Sequence, residues 1–161
     1  MKTRLRTIIA GLFGLTVAVA ASNPRFDDYR TGDIFKGKPA EPVLRTAVQK
    51  KFATQIRRQS VLPANFAGHY RVADWGCGSS CVSIALIDLT TGNVYEGPFS
   101  TLGYGPAYRY EGGSEELEYR VSSKLLIVRG CPEDKNCGTY YYEWKGDRFN
   151  QLRYMPHGPL P

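Results

Sequence analysis

Four cysteines and one histidine are the side chains of this chain best suited to chemistry, and they fall in two short stretches. His69 precedes Cys77 and Cys81, which bracket Gly78-Ser79-Ser80, and Cys131 and Cys137 bracket a polar loop of five residues. A thiolate nucleophile needs a depressed pKa and a base within reach, and His69 could serve Cys77 or Cys81 in that role. Zinc would need ribbon-like ligand spacing, which Cys-x3-Cys and Cys-x5-Cys with 49 residues between them do not give. In an oxidising compartment an even count favours two disulfides, for which three connectivities exist. The local pairs, Cys77 with Cys81 and Cys131 with Cys137, are preferred because each closes a Gly-rich or polar loop. No metal and no cofactor are expected.

Catalysis by other groups finds little support. Ser79 and Ser80 lack the Gly-x-Ser-x-Gly frame of a nucleophile elbow. Glu115 and Glu116 are sequence neighbours and so face opposite sides of a strand. No phosphate loop, dinucleotide fingerprint or calcium loop is present. An envelope enzyme of hydrolase type, using His69 with Asp74 or Glu143, stands as the alternative to a non-catalytic protein. A lone imidazole beside Gly68 more often orders a turn through backbone hydrogen bonds. The aromatic residues point instead to recognition. Gly97 to Gly113, read as a long surface loop with a short strand inside it, holds five Gly with Tyr104 and Tyr108 among them, and Tyr141 lies in an alternating aromatic strand. His69, Trp75, Ser79, Ser80, Tyr104, Tyr108 and Tyr141 are therefore the candidate binding residues.

These residues need a scaffold, and the chain supplies one domain's worth. Residues 1–21 have a cationic start, an apolar run from Ile8 to Val19 and small residues for cleavage, the three parts of a secretory leader. The run is shorter than a bilayer span requires, so no stable membrane span is expected after cleavage. Cleavage takes the formal charge from +6 to +3, because the leader carries three of the 21 Lys and Arg. That excess is too small for a nucleic-acid partner. Residues 22–41 read as a flexible N-terminal arm, and 42–155 as a single β-rich domain opening with a helix. Pro42 suits the first helical position, and Leu44, Ala47, Val48, Phe52 and Ile56 recur at helical spacing through about Gln59. Its basic residues could meet a membrane surface, although a solvated face is the commoner reading.

From Tyr70 the period changes to two. Strands are expected at Tyr70 to Trp75, Val82 to Leu89, from Val94, from Glu116, Leu125 to Val128, Thr139 to Trp144 and Phe149 to Tyr154, with turns at Gly92 and Gly146 and a tail at 156–161. Cys77 and Cys131, like Gly92 and Gly146, stand 54 residues apart. Each half thus reads strand, Cys-closed loop, strand, Gly turn, strand. The fold class is α+β, mainly β: an antiparallel meander of six to eight strands with one N-terminal amphipathic helix.

The residues Asn65-Phe66-Ala67-Gly68-His69-Tyr70, Trp75-Gly76-Cys77-Gly78 and Cys81, with Asp88 to Tyr95 and Ser123 to Leu126, resemble a family of small uncharacterised secreted bacterial proteins. That resemblance implies secretion and fold. A fainter one, to periplasmic lysozyme inhibitors of the Ivy type, implies a Cys-closed loop presented on a helix-plus-sheet body, although Gly78-Ser79-Ser80 lacks the His and Asp of that inhibitor's loop. The expectation is a monomeric periplasmic or secreted module that binds an envelope protein or glycan. A structural or stress-tolerance role is a further alternative.

Overall fold

The computed structural model describes residues 22–103 and 116–157; the expected leader, 1–21, lies outside them. The protein is mainly β. Its eight strands are β1 (Tyr70–Gly78), β2 (Cys81–Asp88), β3 (Val94–Glu96), β4 (Leu102–Gly103), β5 (Leu117–Tyr119), β6 (Leu125–Pro132), β7 (Gly138–Trp144) and β8 (Phe149–Pro156). They form one open antiparallel sheet in the order β1-β2-β4-β6-β7-β8, with β3 on β2 and β5 on β6. Within each half successive strands pair as a meander does, β1-β2-β3 and β6-β7-β8, and the two halves share the 54-residue order of loop and turn. The plain meander stops at the joint. There β4 pairs with β2 through Cys81 and Val82 and with β6 through Cys131 and Pro132.

Strand alternation sorts the side chains into three apolar clusters. Tyr70 and Val72 of β1, Ile84 and Leu86 of β2, Leu126 and Val128 of β6, and Tyr140, Tyr142 and Trp144 of β7 share one core with Phe66 and Phe99. Because Tyr70 on β1 meets Trp144 on β7 edge-on at 5.3 Å, the sheet must curl until its inner face packs on itself. The residues of opposite parity face outward and need other cover. Ala73, Ala85 and Ile87 lie under Ile56, Leu44 and Phe52. Leu125, Ile127 and Tyr141 lie under Phe26 and Tyr29.

The helical cover is two short pieces, α1 (Ala47–Lys51) and α2 (Ala53–Ser60), not one run from Pro42. The start is set by Thr46, whose hydroxyl accepts from the Gln49 N–H while the Gln49 amide oxygen accepts from the Thr46 N–H. This reciprocal cap satisfies two donors that a helix end leaves orphaned. Upstream, Val43 is held by a bridge to Asn93 and cannot join the helix. Ile56 is almost wholly buried, and removing such a side chain from water contributes about 2 kcal/mol.

Residues 22–41, expected as a flexible arm, are instead strapped across the sheet. Thr31 donates its N–H to Ser122, Phe35 to Gly68, Ala40 to Leu89 and Val43 to Gly92. The buried Ser123 hydroxyl lies 3.0 Å from the Phe26 carbonyl and 3.1 Å from that of Tyr29, and accepts from the Leu125 N–H. Scattered aromatic residues suffice here, because each meets an outward-facing apolar row that nothing else covers. Ser123→Ala should therefore cost about 1–3 kcal/mol in urea unfolding, the usual penalty for leaving a buried polar group unpaired, here the Phe26 carbonyl and the Leu125 N–H, since Tyr29 keeps the Lys124 N–H. It should also speed proteolytic clipping within 22–41. Unchanged clipping would show that the strap is held without this hydroxyl.

Candidate functional site

The cysteine chemistry is structural. Cys77 is bonded to Cys81 and Cys131 to Cys137, leaving no free thiol. A sulfur in a disulfide offers no thiolate for attack. The first pair closes a hairpin more tightly than the expected loop, since Gly78 pairs with Cys81 and Cys77 is the extra residue of a bulge. Ser79 and Ser80 form its exposed tip. In the second, Glu133 accepts from both the N–H and the hydroxyl of Ser100, so that loop is docked on the chain entering β4.

His69 finds a carboxylate, but not Asp74 or Glu143. Its Nε2 lies 3.9 Å from Asp88 Oδ1, beyond hydrogen-bond length, and its ring lies over Tyr70 at 4.2 Å. Asp88 is already committed to its turn. Its Oδ1 accepts from the Thr90 N–H, the Thr90 hydroxyl and the Thr91 N–H, and its Oδ2 from the Thr91 hydroxyl. Burial pushes this carboxyl up, but those bonds and the nearby His69 outweigh it and hold it below the ordinary range. Glu143 is paired with Lys145 at 2.7 Å, and Asp74 is exposed. Thr90 and Thr91 donate to Asp88 and not to His69, so this group is a turn staple and lacks the order of a nucleophile, base and orienter.

A site with room for a ligand lies on the other side of β1. A cleft of about 650 Å³ runs between the helices and the outward face of β1 and β2, and the chain from Tyr95 to Thr101 forms its far wall. Phe52, Ile56, Trp75, Ile84 and Phe99 make its walls largely apolar. Trp75 is positioned from both sides, pairing with Ser83 across the hairpin and lying 4.9 Å from the Phe52 ring. Its indole N–H is buried and has no hydrogen-bond partner. Three other polar side chains on the walls are occupied, while the Thr101 hydroxyl has no hydrogen-bond partner among the described residues. Gln49 donates to the Val94 carbonyl, Ser83 to the Ser100 carbonyl, and Glu96 accepts from the Thr46 hydroxyl. The cleft thus presents apolar surface with the Thr101 hydroxyl and Lys51, and the unpaired Trp75 N–H is buried in its wall, as that of Trp144 is in the core.

Of the candidate residues, Trp75 lines this cleft with Cys77 beside it, while Ser79 and Ser80 lie at the hairpin tip beyond. His69 sits at the opposite end of β1. Tyr141 is not on a free surface: it is 7% exposed, covered by the strap, because its outward parity places it under Phe26. Tyr104 and Tyr108 lie outside the described residues. Phe52 and Phe99 were not anticipated, although Phe52 stood in the helical stripe. Burial pushes the Tyr142 hydroxyl up to about 12 and raises that of Tyr70, which keeps both neutral inside the core. Among the described residues no three His, Cys, Asp or Glu converge as metal ligands would, and no helix is long and apolar enough to cross a membrane.

The staple assigned to Asp88 has a pH signature. Its carboxyl is held lower in the folded than in the unfolded chain, so its stabilisation is complete above the ordinary carboxylate pKa of about 4. It drains away as pH falls through the lower folded value. Asp88→Asn, which cannot reproduce four accepted bonds, should cost about 1–3 kcal/mol at neutral pH. The gap in melting temperature between the two proteins should then narrow as pH falls toward 3. A gap that stays constant with pH would remove the ionised staple.

Compared with known proteins, the chain matches no family model, no curated protein and no solved structure.

Proposed function

We propose that this protein is an exported, non-catalytic binding module of the periplasm or secreted space, and that the cleft beside Cys77 is its ligand seat. The observation that carries the reading is the Trp75 indole N–H, a buried donor left unspent in an apolar wall. Such a donor costs free energy unless a partner sometimes supplies an acceptor. The lining also argues for a kind of ligand. A glycan would ask for several free donors and acceptors, and Gln49, Ser83 and Glu96 of the walls are already bonded within the protein. An apolar side chain from an envelope protein, with a backbone carbonyl beside it, matches apolar walls with few free polar groups. Export is supported by two disulfides and by the leader-like residues 1–21, and an oxidising compartment would keep the Cys77–Cys81 clasp closed. The enzyme reading is weaker, because the carboxylate nearest His69 already accepts four hydrogen bonds from its own turn.

The test is a titration of the protein with blocked apolar tripeptides, followed by NMR at the two indole N–H resonances. The Trp75 resonance should move while that of the core residue Trp144 stays. Trp75→Phe, which keeps a ring but removes the donor, should weaken the affinity about fivefold, the worth of one hydrogen bond of ~1 kcal/mol. Opening the clasp with Cys77→Ser and Cys81→Ser should weaken it as well. If neither tripeptides nor oligosaccharides move the Trp75 resonance, the cleft is not a ligand seat. If oligosaccharides alone do, the seat takes a glycan.

A further inference from the structure

Two surface properties that soluble proteins usually keep apart fall on one stretch of this chain. Among the described residues the exposed large apolar side chains are Ile34, Val43, Val48, Val61, Leu62 and Tyr154, and all but Tyr154 lie in the strap and helices. The same stretch, 33–62, carries seven Lys and Arg against two acids, whereas the rest of the chain after residue 21 carries eleven against thirteen. The modest overall charge therefore conceals a strongly basic side.

The cations there have no carboxylate partner among the described residues. Elsewhere five Lys and Arg are in ion pairs: Arg25 with Asp28, Arg30 with Asp27, Arg129 with Glu118, Lys145 with Glu143 and Arg148 with Asp147. Lys36, Lys38, Lys50, Arg57 and Arg58 pair with no carboxylate among the described residues. On α2 the arrangement follows from helical geometry. Ile56 and Ser60 are buried, so steps of about 100° per residue place Arg57, Arg58 and Val61 on the outward side. Val61 is 73% exposed and Leu62, the next residue, 41%. A hollow of about 460 Å³ joins Val61 and Pro63 to Ile34, Phe35 and Lys36 of the strap, so Val61 and Ile34 share one surface with Lys36.

A helix face that only meets water has reason to be charged and none to expose Val61, Leu62 and Ile34 together. A soluble polyanion would use the charges and leave the apolar groups idle. An anionic lipid surface uses both, because the headgroups attract the cations and the boundary with the acyl chains accepts shallow apolar groups. We propose that the α2 face, with the strap beside it, docks this protein reversibly on an anionic phospholipid bilayer. Charge complementarity selects this occupant. The contact is separate from the cleft, since Ile34, Arg57, Arg58, Val61 and Leu62 do not line it.

The test is co-sedimentation with vesicles of phosphatidylcholine alone or mixed with phosphatidylglycerol, at low and high salt. It uses residues 22–161, because the apolar run of 1–21 would enter lipid by itself and every contact described above is made after residue 21. Binding should require phosphatidylglycerol and be lost at high salt. Arg57→Ala with Arg58→Ala should lower partitioning roughly thirtyfold, the product of two cations near an anionic surface. Val61→Ser with Leu62→Ser should lower vesicle binding several-fold while leaving binding to soluble heparin unchanged. Trp75→Phe should leave vesicle binding intact, and circular dichroism checks that each variant is folded. Absence of binding to anionic vesicles would overturn the proposal. So would vesicle binding that Val61→Ser with Leu62→Ser does not change, which would mark a general polyanion patch.

Discussion

Two residues, Leu102 and Gly103, hold the sheet together. Each half is built on a three-stranded meander with its own hairpin clasp and its own turn, β5 being added to the second, and among the described residues the halves meet edge to edge only through β4. The contact is close-packed: Leu102 is fully buried, and a Cβ on Gly130 would lie 2.7 Å from its side chain. A Cβ on Gly103 would meet the Asp134 carboxylate of the docked second loop. The disulfides make so short a joint workable. Cys81 and Cys131 are themselves the residues opposite Gly103, one on each side, so each clasp fixes the strand end that β4 must bridge. Loops this short gain little from loop-closure entropy, and on this placement their worth is local geometry.

Once the halves are joined there, the curl of the sheet and its need for cover follow. Inner-parity residues fill one shared core, and outer-parity residues form two apolar rows that the sheet cannot bury by itself. The N-terminal forty residues of the described chain exist in folded form because of that deficit. Gly92 shows how tightly they are fitted: at φ +77° it takes a left-handed turn, and a side chain there would run into the backbone of Glu41. The strap and helices are thus part of the fold's closure, and their outward sides inherit whatever the sheet does not constrain.

This ordering explains what could be read from the sequence. Period-two alternation located the strands because parity decides burial on both faces, and the local cysteine pairs followed from loops that need closing. The Thr46 and Gln49 capping signal was also present, but Pro42 was a competing start that lost to the bridge at Val43. Two features were beyond reach. A short strand was expected inside the Gly-rich stretch, but two residues carry no periodicity from which the position and partners of β4 could be told. The fate of Tyr141 depended on which element covers the outer face of β7, which is a long-range fact with no local trace. Among candidate site residues, Trp75 could be named from its place beside the first clasp. That its donor lacks a partner, and that Phe52 and Phe99 join it, required the helix break at Phe52 and the path of 95–101.

The internal repeat sharpens the case for function at Trp75. The same 54-residue offset that relates the clasps and turns carries Trp75 to Arg129. In the second half that outward position is neutralised, since Arg129 pairs with Glu118 at 2.8 Å on the neighbouring strand. The adjoining outer row is sealed by Phe26 and Tyr29. In the first half the same position carries a large ring with an idle donor, and its cover, two short helices broken at Phe52, leaves a cleft beside it. A scaffold that can seal its outer face on one side, and does so with fewer residues, had a sealed solution available on the other. The open side is therefore where a binding role, and not the demands of folding, best accounts for the residues present.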